Sequence, residues 1–168
     1  MVDLLYEDAG AVVARERNLG FYLLRDRPVP EHFEALADLH RHILSAHPEG
    51  AGLLTVVTST HWMPAFSDEL RRAARHLVET TEHGSLGSAF VLGGHGLLSS
   101  AIRGFVGTLF LVSRSREPYA VFASVSEAAP WVAARSSART RWDPEEVLRA
   151  LRLLGVMETS EGVSSLLG

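Results

Sequence analysis

The sequence predicts an α/β fold: a mixed central sheet with helices packed on it, in the order β-β-β-α-β-α-β-α-β-α, plus a C-terminal helix. Three observations carry this. Three short apolar segments open the chain with only turns between them. After them, short apolar runs alternate with stretches of helical apolar spacing, which implies parallel pairing in the later part of the sheet. Finally, Leu53-Leu54-Thr55-Val56-Val57 lies between turn signals, is rich in β-branched residues, and reads as a buried central strand.

Residues 3 to 7 and 11 to 15 flank Asp8-Ala9-Gly10, a hairpin signal. Residues 20 to 25 follow Arg17-Asn18 and complete a meander. Pro30 suits the first position of a helix, where its missing N–H costs nothing. Phe33, Leu36, Ala37, His40, Ile43, Leu44 and His47 then share one face, and Pro48-Glu49-Gly50 stops the helix. After the central strand, Ser67 is placed to cap a helix reaching about Glu82. Leu70, Ala73, Ala74, Leu77, Val78 and Thr81 form its buried side.

Residues 87 to 92 read as another buried strand, and Gly93-Gly94-His95-Gly96 as a strand-to-helix turn. A third helix, about Leu97 to Ser113, shows Leu98, Ala101, Ile102, Phe105, Leu109 and Val112 at helical spacing. Gly104 and Gly107 each lower its propensity by about 1 kcal/mol, which suggests close approach to a neighbouring element. Residues 114 to 118 make a polar connector and Tyr119 to Phe122 a last strand. Ser124 and Glu127 have capping-box spacing, opening a helix to about Arg135 with Ala128, Trp131 and Val132 inward. Asp143-Pro144 opens a further helix to Leu154, closed by Gly155. The expected organisation is one α/β domain over residues 1–135, with a linker, short helix and flexible tail over 136–168.

Composition narrows function. The chain is 46% hydrophobic and 21% charged, a globular rather than a disordered balance. A net charge of −4 disfavours general nucleic-acid binding. Cysteine is absent, which removes disulfides, thiol catalysis and cysteine-ligated metals. All sixteen basic residues are Arg, so Lys-dependent Schiff bases and phosphate loops are also excluded. Arg-only usage with abundant Ala and Gly fits a GC-rich genome. The acidic opening MVDLLYEDAG has no basic region of the kind a signal peptide needs. Residues 96 to 112 are too short and too polar for a membrane span.

The candidate site lies after the central strand, where open α/β sheets place ligands and partners. Thr60, His61, Trp62 and Met63 form a bulky loop that either presents Trp62 as an anchor for a partner or folds its aromatic back onto the core. Ser67 is either an N-cap or a phosphate acceptor beside Arg71. Arg71, Arg72, Arg75 and His76 make a basic stripe suited to an acidic surface or to solvent. His40, His42 and His47 lack a completing carboxylate, so no metal is expected. Glu79 and His83 stand four apart on the second helix, a spacing that can serve general acid–base chemistry but is explained more simply by a His beside the C-terminal end of the helix dipole. No nucleophile–base or paired-carboxylate arrangement is readable, so a non-enzymatic role without a cofactor is expected.

Two stretches resemble the STAS-like, SpoIIAA-like fold of anti-sigma-factor antagonists. One is the central strand and loop leading to the helix at Ser67. The other is PYAVFASVSEAAPWV, residues 118 to 132, a short strand ending in Phe that runs into a helix with a Glu-Ala pair and a Trp. The resemblance covers roughly residues 1 to 135. It implies a cytoplasmic regulatory domain that binds a protein partner and has no catalytic residues, with Ser67 nearest the position phosphorylated in some members. This chain differs in following the strand with Thr58-Ser59-Thr60 rather than Asp. The partner surface would be Thr60, His61, Trp62, Met63, Ser67, Arg71, Arg72 and Arg75, with a homodimer as a further expectation. The alternative is a small apolar-ligand or lipid-binding domain, with the third helix and its Gly104 and Gly107 lining the cavity.

Overall fold

A computed structural model of the chain describes residues 1–58, 67–93, 97–137, 139–159 and 162–165. The predicted α/β architecture is present. Six strands form one mixed sheet: β1 Asp3–Glu7, β2 Ala11–Glu16, β3 Leu19–Leu24, β4 Ala51–Val57, β5 Ser85–Leu92 and β6 Tyr119–Phe122. They lie side by side in chain order. The first two pairings are antiparallel hairpins; β3–β4, β4–β5 and β5–β6 are parallel. β4 therefore sits inside the sheet, hydrogen-bonded on both sides.

Each parallel step needs a crossover, supplied by α1 Pro30–Ala46, α2 Asp68–Thr81 and α3 Leu97–Val112. Successive crossovers of one hand, each advancing one strand, must all cover the same face. Accordingly Leu36, Leu39 and Ile43 of α1, Val78 of α2 and Ile102, Val106 and Phe110 of α3 share one core with Val13, Tyr22, Val57 and Leu92. The opposite face carries Val12, Phe21, Leu54, Val56, Ala89 and Val91. It is covered by α4 Val125–Ser136 and α5 Pro144–Leu153. The strand period of two divides these sets cleanly.

The caps form as their residues demand. Ser67 Oγ accepts from the Leu70 N–H (3.2 Å), Ser124 Oγ from the Glu127 N–H (3.2 Å), and Asp143 Oδ1 from the Glu145 N–H (2.8 Å). Glu146 returns the contact by accepting from the Asp143 N–H at 3.0 Å, completing a capping box. α1 begins differently. Its N-cap, Val29, has no acceptor of its own, and the buried His32 ring at the third helical position accepts the Val29 N–H at 3.4 Å.

Several faces differ from the expected ones. In α1, His32 and Leu39 are buried, while Ala37 and His40 are half-buried. In α3 the inward residues are Ile102, Val106 and Phe110; Ala101 is exposed, Val112 is 51% exposed, and Phe105 and Leu109 are half-buried. A helix apolar nearly all round does not mark its own inner side. Gly104 faces open space, and a side chain at Gly107 would meet only the Tyr119 hydroxyl at ordinary contact distance. Neither glycine is required by close packing. Close approach occurs instead at Gly52, where an added Cβ would collide with Ser136 Oγ at the end of α4.

Residues 136–168 carry more structure than a linker, one helix and a tail. Val147, Ala150 and Leu151 of α5 and Trp142 belong to the core under α4. Beyond Gly155 the chain pairs as an antiparallel hairpin, β7 Val156–Thr159 with β8 Gly162–Ser165. No helix among the described residues is long and apolar enough to cross a membrane.

Candidate functional site

α2 lies between α1 and α3, with a groove on either side. The groove toward α3 has a volume of about 580 Å³. One wall is Asp68, Arg71, Arg72 and Arg75, which recur at helical spacing on the exposed side of α2. The other is apolar or small: Ala101, Gly104, Phe105, Thr108, Leu109 and Val112 of α3. Gly104 leaves the floor open because nothing lies within 4 Å of where its Cβ would be. The groove toward α1, about 570 Å³, mixes signs, with Glu34, Asp38, Arg41 and His76. The stripe read from the sequence is therefore divided. The three arginines face α3, whereas His76 faces α1.

The charges of the α3-side groove are partly engaged. Arg75 Nε donates to Glu79 Oε1 at 2.8 Å, an exposed pair one turn apart. Such a pair is worth only a few tenths of a kcal/mol and is easily exchanged for another anion. Glu79 is thus paired with Arg75 rather than with His83. The His83 carbonyl accepts from His40 Nε2 at 2.8 Å. Ser67, exposed, stands at the α2 N-terminus with its hydroxyl in the cap. Thr60, His61, Trp62 and Met63 lie outside the described residues.

The three histidines of α1 and its end do not converge. His40 is bonded to His83, His47 lies 3.3 Å from a Glu49 carboxylate oxygen, and His42 is exposed. Burial pushes the His40 pKa down, which favours the neutral ring. Among the described residues, no group of three or more His, Asp or Glu side chains could hold a metal.

Family models, curated proteins and solved structures offer no match to this chain.

Two polar clusters escaped sequence reasoning. Asp8 accepts from the Tyr6 hydroxyl (2.6 Å), from the Gly10 and Ala11 N–H groups (2.7 Å each), and meets His32 Nε2 at 3.0 Å. Partial burial opposes its ionisation, but these hydrogen bonds outweigh that and hold its carboxyl well below the ordinary range. With its Nδ1 facing the Tyr22 hydroxyl (3.2 Å) and the Val29 N–H, His32 presents Nε2–H to Asp8. Because His32 and Tyr22 are buried, this network pins the first hairpin to α1 and exposes no nucleophile.

The second cluster is Glu117 with Ser88. Ser88 Oγ donates to Glu117 Oε1, and both residues are buried. Desolvation raises the Glu117 pKa above its usual value, against the lowering effect of hydrogen bonds from Ser88 and Ser85. In the sequence Glu117 belongs to a polar connector and looks solvated. Only the pairing of β5 with β6 encloses it.

Proposed function

We propose that this domain is a non-enzymatic regulatory or scaffold module that binds an acidic, amphipathic segment of a protein partner in the groove between α2 and α3. One observation carries the reading. A chain of net charge −4 gathers Arg71, Arg72 and Arg75 on one wall of a groove whose opposite wall is apolar. An amphipathic helix with a carboxylate edge complements both walls at once. The order of elements is the one implied by the resemblance to STAS-like regulatory domains, and a cytoplasmic signalling role belongs to the same reading. Trp62 and the residues around it precede α2 directly and would extend the surface. Phosphorylation at Ser67 would place its charge within one turn of Arg71 and compete with an acidic partner.

The test uses a labelled helical peptide with Leu on one face and Glu on the other, titrated by fluorescence anisotropy. Binding should weaken with salt and fall roughly tenfold or more on Arg71→Glu and Arg72→Glu together. A control peptide with Gln in place of Glu should bind poorly to the unchanged protein. If the double charge reversal leaves the acidic peptide's affinity intact, this groove is not the partner site. Sedimentation of the chain alone tests the homodimer.

A further inference from the structure

Behind the groove, the helix-covered side of the sheet is hollow. A cavity of about 100 Å³ lies between the sheet and the three crossover helices. Phe105 and Leu109 stand in the walls of both this cavity and the outer groove. A smaller void of about 30 Å³ adjoins it, and Leu53, Leu77, Ser88 and Glu117 line both. The three voids are thus linked by shared walls. Most of the middle one is hydrocarbon, including Leu36, Val78 and Phe90. Its inner end is polar, with Thr55, Ser88 and Glu117, and His40, Thr81 and Ser85 follow in the smaller void.

The placement of Glu117 is costly, because a buried carboxyl with no cation paired to it among the described residues is poorer filling than an apolar side chain. Its hydrogen-bond partners are neutral hydroxyls, and the charge of Glu82 acts on it with like sign. A neutral carboxyl both donates and accepts, as a hydroxyl does. An anionic ligand end would be repelled by any ionised fraction and desolvated without compensation. A pure hydrocarbon would leave the carboxyl's remaining capacity unused. The size is also restrictive, since ~150 Å³ of apolar cavity takes up benzene. The two inner voids together fall just short of that.

We propose that the interior between α1, α2, α3 and the sheet is a binding site for a small aliphatic alcohol, its hydroxyl set against Glu117 and Ser88 and its hydrocarbon between Leu53, Leu77 and Phe105. Phe105 and Leu109 are the side chains that line both the cavity and the groove. The site lies beyond the partner surface and uses none of its arginines.

The experiment follows methyl resonances of Leu53, Leu77 and Leu109 in the full chain during titration with cyclopentanol, cyclopentane or cyclopentanecarboxylate. Cyclopentanol should shift these methyls and bind roughly tenfold more tightly than cyclopentane, and the carboxylate should leave them unmoved. Glu117→Met should abolish the preference for the alcohol while leaving cyclopentane affinity within about twofold. Ala74→Leu, which fills the cavity from α2, should abolish binding of both, whereas Arg72→Ala should change neither. Equal affinity for alcohol and hydrocarbon in the unchanged protein would overturn the role of the polar end. Absence of methyl shifts with every probe would mean that the cavity holds water only and would overturn the site. Should Glu117→Met not fold, the comparison of the three probes and the Ala74→Leu chain still decide.

Discussion

Trp142 Nε1 donates a 2.8 Å hydrogen bond to Asn18 Oδ1, joining residues 124 positions apart. Asn18 is fully buried, and its Nδ2 donates to the carbonyls of Ser136 (2.9 Å) and Gly50 (3.3 Å). The Arg17 guanidinium lies 3.7 Å above the Trp142 ring, and its other nitrogen meets Glu146 at 3.0 Å. One side chain in the β2–β3 turn thus holds the start of β4, the end of α4 and the approach to α5. Trp142→Phe keeps most of the ring but leaves Asn18 Oδ1 buried without a donor. It should cost about 1–3 kcal/mol in urea denaturation. An unchanged midpoint would mean that this contact is not what fixes the C-terminal segment.

The Asp8 network gives an acid-dependent contribution. Its carboxyl titrates lower in the folded chain than its ordinary value near 3.8. The folded state therefore favours the ionised form. The stability this gives is complete above the unfolded value and is lost as pH falls through the folded one. Asp8 is 37% exposed at the side chain, so solvent screening keeps the effect below about 1 kcal/mol. Asp8→Asn should lower the urea midpoint at about pH 7, and the gap to the unchanged protein should narrow at about pH 3. A gap independent of pH would point to hairpin geometry alone.

Glu117 has the opposite sign. Desolvation raises its folded pKa, so the folded chain holds the proton longer than the unfolded one. Stability from this group is complete below the unfolded value near 4.5 and is lost as pH rises through the folded one. Glu117→Gln keeps a neutral hydrogen-bonding end at every pH. The variant should gain on the unchanged protein as pH rises from mild acid to neutral, and a melting series across that range reads the crossing. A constant difference would show that Glu117 does not titrate within it.

Two glycines should respond in opposite directions. Gly52→Ala places a methyl against Ser136 Oγ, which is buried and has no hydrogen-bond partner among the described residues. Overpacking of that kind costs about 1–3 kcal/mol. Adding Ser136→Ala should recover most of the loss, since the hydroxyl it removes is unsatisfied. Gly104→Ala on the exposed side of α3 meets nothing and should stabilise by about 0.5–1 kcal/mol. Its methyl would also intrude on the groove floor, so peptide binding in the groove should weaken while the fold grows firmer.

The sequence by itself determined the order of elements as far as α5, the central place of residues 53–57, and the helix starts at Ser67, Ser124 and Asp143. These depend on local chemistry: β-branched runs, helical spacing, and side-chain oxygens three or fewer residues before a free N–H. Tertiary structure alone decided which side of α3 turned inward, because Phe105, Val106, Leu109 and Phe110 are all apolar and only the sheet and α2 choose among them. It also separated His76 from the arginines, enclosed Glu117 in what reads as a polar connector, and drew Trp142 onto Asn18. Each of these follows from which surfaces meet, and contacts between elements far apart in sequence leave no periodic trace within either one.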